Sequence, residues 1–176
     1  MTWRQIVQRS EGHIGQLAEG FRQRVAKWYH ELTLKKIPVL IYCSVRTPKE
    51  QDELYAQGRT KKGPKVTNAR GTPVPQSFHC YARAIDACPA VRNAAGEYVL
   101  TWDDTTTYAI MTKVGEKYAM RTLSFERPHF EDAMFRDWRE LAKVTNTKPV
   151  RKPSPGTAVA EKNRQAMQRK VKLRKP

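Results

Sequence analysis

The segment Ser77-Phe78-His79-Cys80-Tyr81-Ala82-Arg83-Ala84-Ile85-Asp86 joins two metal-binding types of side chain to a short apolar run. Residues 83–89 are rich in small and apolar side chains, a pattern that predicts a β-strand. Asp86 would then be mounted on a rigid element. Histidine nitrogens and aspartate oxygens are both common zinc ligands. The segment therefore predicts one half of a metal site.

Glu126-Arg127-Pro128-His129 provides the second half of the pattern. With His129 as a third ligand, the fourth tetrahedral position of a zinc ion stays open, as in catalytic zinc sites. Glu126 can take a proton from an activated water, and Pro128 restricts the backbone that joins it to His129. Any one of these side chains alone is more often a structural polar residue. Their joint occurrence favours metal-assisted hydrolysis.

The N-terminal part of the chain predicts helices around a buried strand. Apolar side chains recur at helical spacing over residues 12–33 and predict one amphipathic helix. The run 37–43 is apolar and β-branched, which is typical of a buried strand. Thr47-Pro48-Lys49-Glu50 has the residue types of a capped helix start, so a helix should extend to about Gln57 and end at Gly58.

The remainder of the chain predicts a mixed fold. Residues 59–76 should form a long irregular loop, since they are polar and rich in glycine and proline. The further predicted elements are a turn at 93–96, a hairpin strand or helix lead at 97–102, a helix from 103 or 104 to 117, a strand at 122–125 and a last helix at 131–144. This order predicts the α+β class, a small antiparallel sheet with flanking helices.

The charge of the chain is unevenly distributed. The 176 residues include 33 Lys and Arg against 17 Asp and Glu, a formal net charge of +16. Residues 147–176 alone carry ten basic residues and one acidic residue. We expect a catalytic domain over residues 1–145 and a flexible, proline-containing basic tail over 146–176. Such a tail favours an anionic partner, although a purely solubilising role is an equal alternative.

Cysteine usage and the start of the chain bear on location. The three cysteines form no CxxC pair, so a disulfide framework or a cysteine zinc knuckle is not indicated. Cys80 and Cys88 flank two candidate ligands, but a role as small buried hydrophobes fits them better. The chain starts without an apolar signal core, so we expect a protein made in the cytoplasm.

Three blocks of the sequence resemble peptidase family M15, the superfamily of D-alanyl-D-alanine carboxypeptidases and VanY-like enzymes. The blocks are Val45-Arg46-Thr47-Pro48 with Glu50-Gln51 and Leu54-Tyr55-Ala56-Gln57-Gly58-Arg59-Thr60, then Ser77 to Asp86, then Glu126 to Phe130. Their order fits the family from about residue 10 to 143, and the likeness is greatest to the phage endolysins and bacterial wall enzymes that act as L-alanyl-D-glutamate peptidases. The resemblance implies a Hedgehog/D-Ala-D-Ala peptidase-like fold.

The same resemblance implies roles for individual residues. By resemblance, His79, Asp86 and His129 bind Zn²⁺, and Glu126 is the catalytic acid/base. Arg46 faces the site and stabilises the oxyanion of the tetrahedral intermediate, a task that suits a permanently charged donor.

The alternative for Arg46 is a salt bridge to a neighbouring acid. Gln51, Tyr55 and Ser77 are expected to support the ligands or to contact substrate, with Ser77 anchoring the loop that carries His79. Ala82 stands where the family usually has glycine, and we expect its backbone to have negative φ and to tolerate the extra methyl group.

The resemblance implies a zinc peptidase that cuts the L-alanyl-D-glutamate bond of the peptidoglycan stem peptide. We expect a monomeric phage endolysin that reaches the wall after holin-type release, with the basic tail on an anionic envelope surface. One alternative is a D,D-carboxypeptidase or dipeptidase that trims terminal D-alanine. Another is a basic nucleic-acid-binding protein with a structural metal or none. No recognised nucleic-acid module supports the latter, so no specific nucleic-acid partner is expected.

Overall fold

The computed structural model describes residues 1–124 and 126–145, and these form an α+β fold. In order along the chain, the elements are α1 (Trp3–Gly15), α2 (Glu19–Leu34), β1 (Val39–Cys43), α3 (Pro48–Ala56), a 3-10 helix (Phe78–Tyr81), β2 (Ala84–Arg92), β3 (Tyr98–Leu100), α4 (Thr105–Glu116), β4 (Met120–Leu123), β5 (Glu126–Asp132) and α5 (Trp138–Val144). The predicted class and the small antiparallel sheet are confirmed.

The sheet has five strands, and each neighbouring pair is antiparallel. The strand order is β1-β2-β5-β4, with β3 hydrogen-bonded to the later part of β2. The hairpin alternative for residues 97–102 is therefore the correct one, since Val99 pairs with Val91 across the turn at 93–96. Strands β2 and β5 are the two inner strands of the four-strand path, and they carry two of the candidate ligands, Asp86 and His129.

One face of the sheet is covered by α2 and α4. Trp28 of α2 is fully buried against Phe130 of β5, and its indole nitrogen donates to the carbonyl of Met111 in α4 at 3.0 Å. Ile85 of β2 is a fully buried member of the same cluster. A second, smaller cluster joins α1 to the other face through Ile6 and Leu40. The sheet is thus held between helices on both faces.

The single helix predicted over residues 12–33 is wrong, because two helices meet there. Residues 16–18 leave the helical hydrogen-bond pattern, and the amide of Ala18 donates to the carbonyl of Ala82 at 3.1 Å. The start of α1 escaped detection because a polar residue takes one of its core positions. The Ser10 hydroxyl is fully buried, where it accepts from the amide of Ile41 at 3.0 Å.

The last predicted helix is also too long. Residues 131 and 132 belong to β5, and α5 begins only after Asp137, whose side chain accepts from the amides of Arg139 and Glu140. The charged residues of β5 hid its strand character, since each of its acidic side chains near the end is paired with arginine rather than exposed. Tertiary pairing here overrides local propensity.

The helix predicted after residue 47 is confirmed. The Thr47 hydroxyl accepts from the amide of Glu50, whose carboxylate accepts in return from the Thr47 amide. The loop that follows is irregular, as predicted, and it packs tightly on α3. A Cβ atom at Gly71 would lie only 1.7 Å from the carbonyl oxygen of Pro48, so this contact requires glycine.

Among the described residues, no helix combines the length and apolarity that crossing a membrane requires. The predicted basic tail, 146–176, lies outside the described residues, as does Phe125.

Candidate metal centre

The candidate ligands come together on the face of the sheet opposite the main core. Side chains alternate along a strand, so Asp86 points away from the face on which its neighbours Ile85 and Ala87 pack. Asp86 lies directly across from His129 in the pairing of β2 with β5. The 3-10 helix that precedes β2 supplies His79, which is 1% exposed.

Three ligand atoms converge at this point. The Nε2 atom of His79 lies 3.1 Å from Oδ1 of Asp86 and 3.3 Å from Nδ1 of His129. The Nδ1 atom of His129 lies 3.2 Å from the same aspartate oxygen. Ligand atoms bound to one tetrahedral zinc at roughly 2.0–2.1 Å are about 3.3 Å apart. The triangle therefore has the size that a zinc ion requires.

Hydrogen bonds orient both imidazole rings toward this triangle. Nδ1 of His79 is 2.5 Å from the carbonyl oxygen of Ser44, to which it donates, so the lone pair is left on Nε2. His129 is arranged the other way round. Its Nε2 lies 3.1 Å from Oε2 of Glu131, which accepts a hydrogen bond from it. This leaves Nδ1 free for a metal.

Glu126 joins the site through an irregularity in β5. In a regular strand, residues three apart point to opposite faces, so Glu126 and His129 would be separated. The register changes, however: Thr122 pairs with Phe130 while the next residue, Leu123, pairs with Glu126. Pro128 lies in this shift, where the ladder does not need its missing amide. As a result, one ligand atom each of Asp86, Glu126 and His129 lies within 4.8 Å of the others.

Arg46 makes the salt bridge that sequence reasoning held as the alternative. Its Nη2 donates to Oδ2 of Asp86 at 2.7 Å, which leaves the other carboxylate oxygen facing the histidines. Gln51 is fully buried and accepts from Arg46 at 3.4 Å, while its own amide donates to the carbonyl of Ala69 at 2.9 Å. Gln51 thus lies behind Arg46 and ties it to the long loop.

Tyr55 and Ser77 are placed differently from the ligands. The guanidinium groups of Arg59 and Arg70 lie over the Tyr55 ring at 3.9 and 4.9 Å from its centroid. Ser77 precedes the 3-10 helix and accepts from the amide of Cys80 through its carbonyl, at 3.0 Å, while its side chain makes no capping hydrogen bond. Ser77 thus contacts the His79 turn through its backbone, and Tyr55 packs against the arginines at 59 and 70 in the long loop.

The electrostatics of the site favour an ionised Asp86 and a protonated His129, but a neutral His79. Burial disfavours ionised Asp86, yet interactions with His79, His129 and Arg46 hold its pKa below the ordinary value. Burial also opposes a charged His129, but hydrogen bonds to Asp86 and Glu131 outweigh it and raise its pKa to about 9. For His79, burial is the largest influence and lowers the pKa. Without a metal, His129 is therefore the imidazole that carries a second proton, and His79 is neutral.

Sequence reasoning missed two residues of this centre. Glu131 holds His129 and is held in turn by Arg121 at 2.7 Å. Its position two residues after His129 would have placed it on the same face, had β5 been recognised as a strand. The other is Cys43, which lies across from Asp86 in the pairing of β1 with β2. Cys80 and Cys88 are buried, as expected.

Ala82 ends the 3-10 helix that carries His79, and the prediction of negative φ for it is wrong. Its φ is +55°, in the left-handed region that favours glycine. The amides of Ala82 and Arg83 donate to the carbonyls of His79 and Phe78 at 3.2 and 3.0 Å, which closes the turn. A left-handed turn that glycine would form without strain is thus formed here by alanine.

The donor set fits a zinc ion. Two neutral imidazole nitrogens and one carboxylate oxygen, with both rings oriented by outer hydrogen bonds, form the three-ligand arrangement of hydrolytic zinc sites. The ligand residues are nearly buried, with exposures of 1%, 5% and 7% for His79, Asp86 and His129. Glu126, in contrast, is exposed to solvent.

A groove of about 660 Å³ adjoins this centre. It shares Cys43 and Arg46 with the surroundings of Asp86 and extends along α3 toward the long loop. Its walls carry charges of both signs: Glu53, Lys61 and Lys62. Within residues 1–124 and 126–145, none of these three side chains is in an ion pair. The groove is thus open to a ligand that carries both carboxylates and amines.

Part of the chain is similar to a known cell-wall enzyme. A segment of 52 residues, 30% of this chain, is 58% identical to the peptidoglycan L-alanyl-D-glutamate endopeptidase CwlK of Bacillus subtilis (strain 168). The match spans 29% of that relative, so less than a third of its length is covered. No family model matches the chain. The similarity agrees with the resemblance in the sequence blocks, over a limited part of the chain.

Proposed function

We propose that this protein is a zinc-dependent peptidase of the M15 type that hydrolyses the L-alanyl-D-glutamate bond of the peptidoglycan stem peptide. The observation that carries the proposal is the convergence of His79 Nε2, Asp86 Oδ1 and His129 Nδ1 within 3.1–3.3 Å, with Glu126 beside them. The partial identity with an L-alanyl-D-glutamate endopeptidase supports the choice of bond. We also propose, on the basis of the same partial identity, that the fold is of the Hedgehog/D-Ala-D-Ala peptidase type.

The chemistry assigned to this chain rests on Glu126 and Arg46. A zinc ion held by His79, Asp86 and His129 would supply the positive charge that acidifies water and polarises a peptide carbonyl. Glu126 accepts a proton from the attacking water and passes it to the leaving amine of D-glutamate. Its exposed position leaves it able to exchange that proton with substrate and solvent.

Arg46 has two tasks in this proposal. Its contact with Oδ2 of Asp86 keeps the other oxygen on the metal side, and its charge lies close enough to favour a developing oxyanion. The groove beside it receives the remainder of the stem peptide. Lys61 and Lys62 offer positive charge to the carboxylates of the peptide, while Glu53 offers negative charge to its amines.

The biological role we propose is that of a phage endolysin, monomeric and made in the host cytoplasm, which reaches the wall after holin-type release. The formal net charge of +16 supports an encounter with an anionic envelope. The basic residues of 146–176, which lie outside the described residues, would concentrate the enzyme on that surface.

Replacing Glu126 tests the proposal directly. Glu126→Gln keeps the size of the side chain and removes its basicity, so we expect hydrolysis of purified peptidoglycan to fall by about 10²–10⁴-fold. Zinc content should stay at that of the wild type, since the three ligands remain. Mass spectrometry of the wild-type digest should find stem peptides with a new D-glutamate amino terminus.

Two outcomes would contradict parts of this proposal. Undiminished hydrolysis by Glu126→Gln would remove Glu126 from the acid/base role. Release of free D-alanine, with the L-alanyl-D-glutamate bond intact, would replace the proposed bond by that of a D,D-carboxypeptidase. Lys65→Ala serves as the control substitution, because Lys65 is exposed and lies outside the residues that line the groove.

A further inference from the structure

Cys43 lies at the end of β1, beside two of the candidate zinc ligands. A register shift between Ile41 and Cys43 places Cys43 directly across from Asp86. The Sγ atom of Cys43 and one ligand atom each of His79 and Asp86 lie within 4.8 Å of one another. These three residues combine a thiol, an imidazole and a carboxylate, and His129 is not a member of the group.

We propose that Cys43, His79 and Asp86 form a second, thiolate-containing metal site that overlaps the zinc centre and takes thiophilic divalent cations such as Cd²⁺. Sulfur ligands select soft cations, whereas the set of two imidazoles and a carboxylate has no such preference. Strand β1 thus places the sulfur of Cys43 next to the imidazole nitrogen of His79 and the carboxylate oxygen of Asp86.

The surroundings of Cys43 are suited to this chemistry. The thiol is half-buried and lies within hydrogen-bonding reach of Arg46 and Asp86. The thiol is therefore placed where it can bind a cation that His79 and Asp86 also bind.

The two sites cannot be filled together. His79 has a single free lone pair, on Nε2, because its Nδ1 donates to the carbonyl of Ser44. A cation bound by Cys43 takes that lone pair and so removes one ligand from the set that includes His129. The expected consequence is inhibition by thiophilic cations through competition rather than by blocking the groove.

Titration of the metal-free protein with Cd²⁺ tests this site. Binding through a thiolate produces an ultraviolet charge-transfer band, which we expect to saturate at one equivalent in the wild type and in Cys88→Ser. In Cys43→Ser the band should be absent, with Cd²⁺ affinity reduced by at least about tenfold. Circular dichroism of the two variants checks that both are folded. A band of full strength in Cys43→Ser, or no band in the wild type, would overturn the proposal.

Two additional titrations test the overlap. Saturating Zn²⁺ should bleach the Cd²⁺ band, because both cations need His79. His129→Ala should keep the band while losing Zn²⁺ affinity, because His129 belongs to one set alone. Persistence of the Cd²⁺ band in saturating Zn²⁺ would refute the shared ligand. These readouts are spectroscopic, so they stand or fall separately from peptidoglycan hydrolysis.

Discussion

Two buried aspartates at opposite ends of the β2–β5 pair illustrate the difference between a carboxylate whose oxygens are both paired with arginine and one that keeps an oxygen for a ligand. Asp132 is fully buried and its oxygens are taken by arginines: Oδ1 accepts from Arg24 at 2.6 Å and Oδ2 from Arg83 at 2.8 Å. Asp86 has a similar partner on one side only, with Arg46 at 2.7 Å from Oδ2. Its other oxygen faces two histidine nitrogens.

This difference in partners decides what each residue can do. Each oxygen of Asp132 is paired with a permanent cation, and Oδ1 also accepts from the amide of Met134, so the carboxylate joins α2 to the sheet and offers nothing to a ligand. The free oxygen of Asp86 meets nitrogens that can be acceptors as well as donors, an arrangement that a metal ion or a proton must complete. We therefore expect substitutions at the two ends to separate stability from metal binding.

The largest expected effect is that of Asp132→Ala on stability. The substitution leaves Arg24 and Arg83 without their carboxylate, and removing one member of a buried ionic group costs about 3–5 kcal/mol. Because the two arginines are about a fifth exposed, the lower end applies, a loss of about 3 kcal/mol in the free energy of unfolding. Urea denaturation of the metal-free protein measures it.

The control for this comparison is Glu19→Ala, which removes the exposed partner of Arg22. Surface ion pairs contribute little, so its unfolding midpoint should stay close to that of the wild type. If Asp132→Ala were no more destabilising than Glu19→Ala, the buried ionic group would not be the structural element that its geometry indicates.

Zinc should stabilise the protein through the Asp86 end alone. Binding to the folded state at a free concentration 100 times the dissociation constant adds about 2.7 kcal/mol to the free energy of unfolding. Glu19→Ala should retain this gain, whereas His129→Ala should lose it, because only the latter removes a ligand. The measurement compares urea midpoints with zinc and with a chelator. An equal gain in His129→Ala would place the bound metal elsewhere.

Zinc affinity should also depend on pH through His129. With a pKa of about 9 in the metal-free protein, His129 carries a proton at neutral pH that the metal must displace. Affinity should therefore rise about tenfold from pH 7 to pH 8, equivalent to about 1.4 kcal/mol, and level off above pH 9. A histidine with an ordinary pKa near 6.5 would give little change over that interval.

Glu131→Gln provides the matched variant for the pH experiment. It weakens one of the two hydrogen bonds that raise the pKa of His129, so the rise in affinity between pH 7 and pH 8 should become shallower. Competition with a chromophoric chelator at fixed ionic strength measures both proteins. An identical slope in the variant would assign the proton to another group.

Much of the candidate metal centre could be predicted from sequence, because the residues that converge there lie in short blocks with recognisable chemistry. His79 and Asp86 are joined by a turn and a strand start that local pattern reveals. The capped helix at Thr47 was equally predictable, since a capping box is a local interaction. The α+β class followed from the order of such local elements.

Features that depend on pairing between distant segments could not be predicted in this way. The shift in β5 that turns Glu126 toward His129 arises from the register with β4, which no local spacing encodes. Cys43 entered the centre for the same reason, through its position across from Asp86. The missed helix α1 depends on a buried serine that satisfies backbone groups of β1, where a pattern search expects an apolar residue.

Ala82 lies between the turn that carries His79 and Arg83, which pairs with Asp132. Its substitution by glycine should have the smallest effect of those predicted. Ala82 has a left-handed backbone and 1% exposure. Glycine would relieve about 1 kcal/mol of backbone strain but lose a buried methyl group worth about 0.8 kcal/mol. The two terms nearly cancel, so Ala82→Gly should change the free energy of unfolding by less than about 1 kcal/mol, measured in urea.

Ala82→Val makes the strain visible. A β-branched side chain is poorly tolerated at positive φ, so valine should destabilise the protein clearly and disturb both neighbours of the turn. We expect weaker zinc binding through His79 together with a lower unfolding midpoint through Arg83. If valine were tolerated as well as glycine, the left-handed turn would not constrain the chain at this point. Neither zinc binding through His79 nor stability through Arg83 would then depend on the turn.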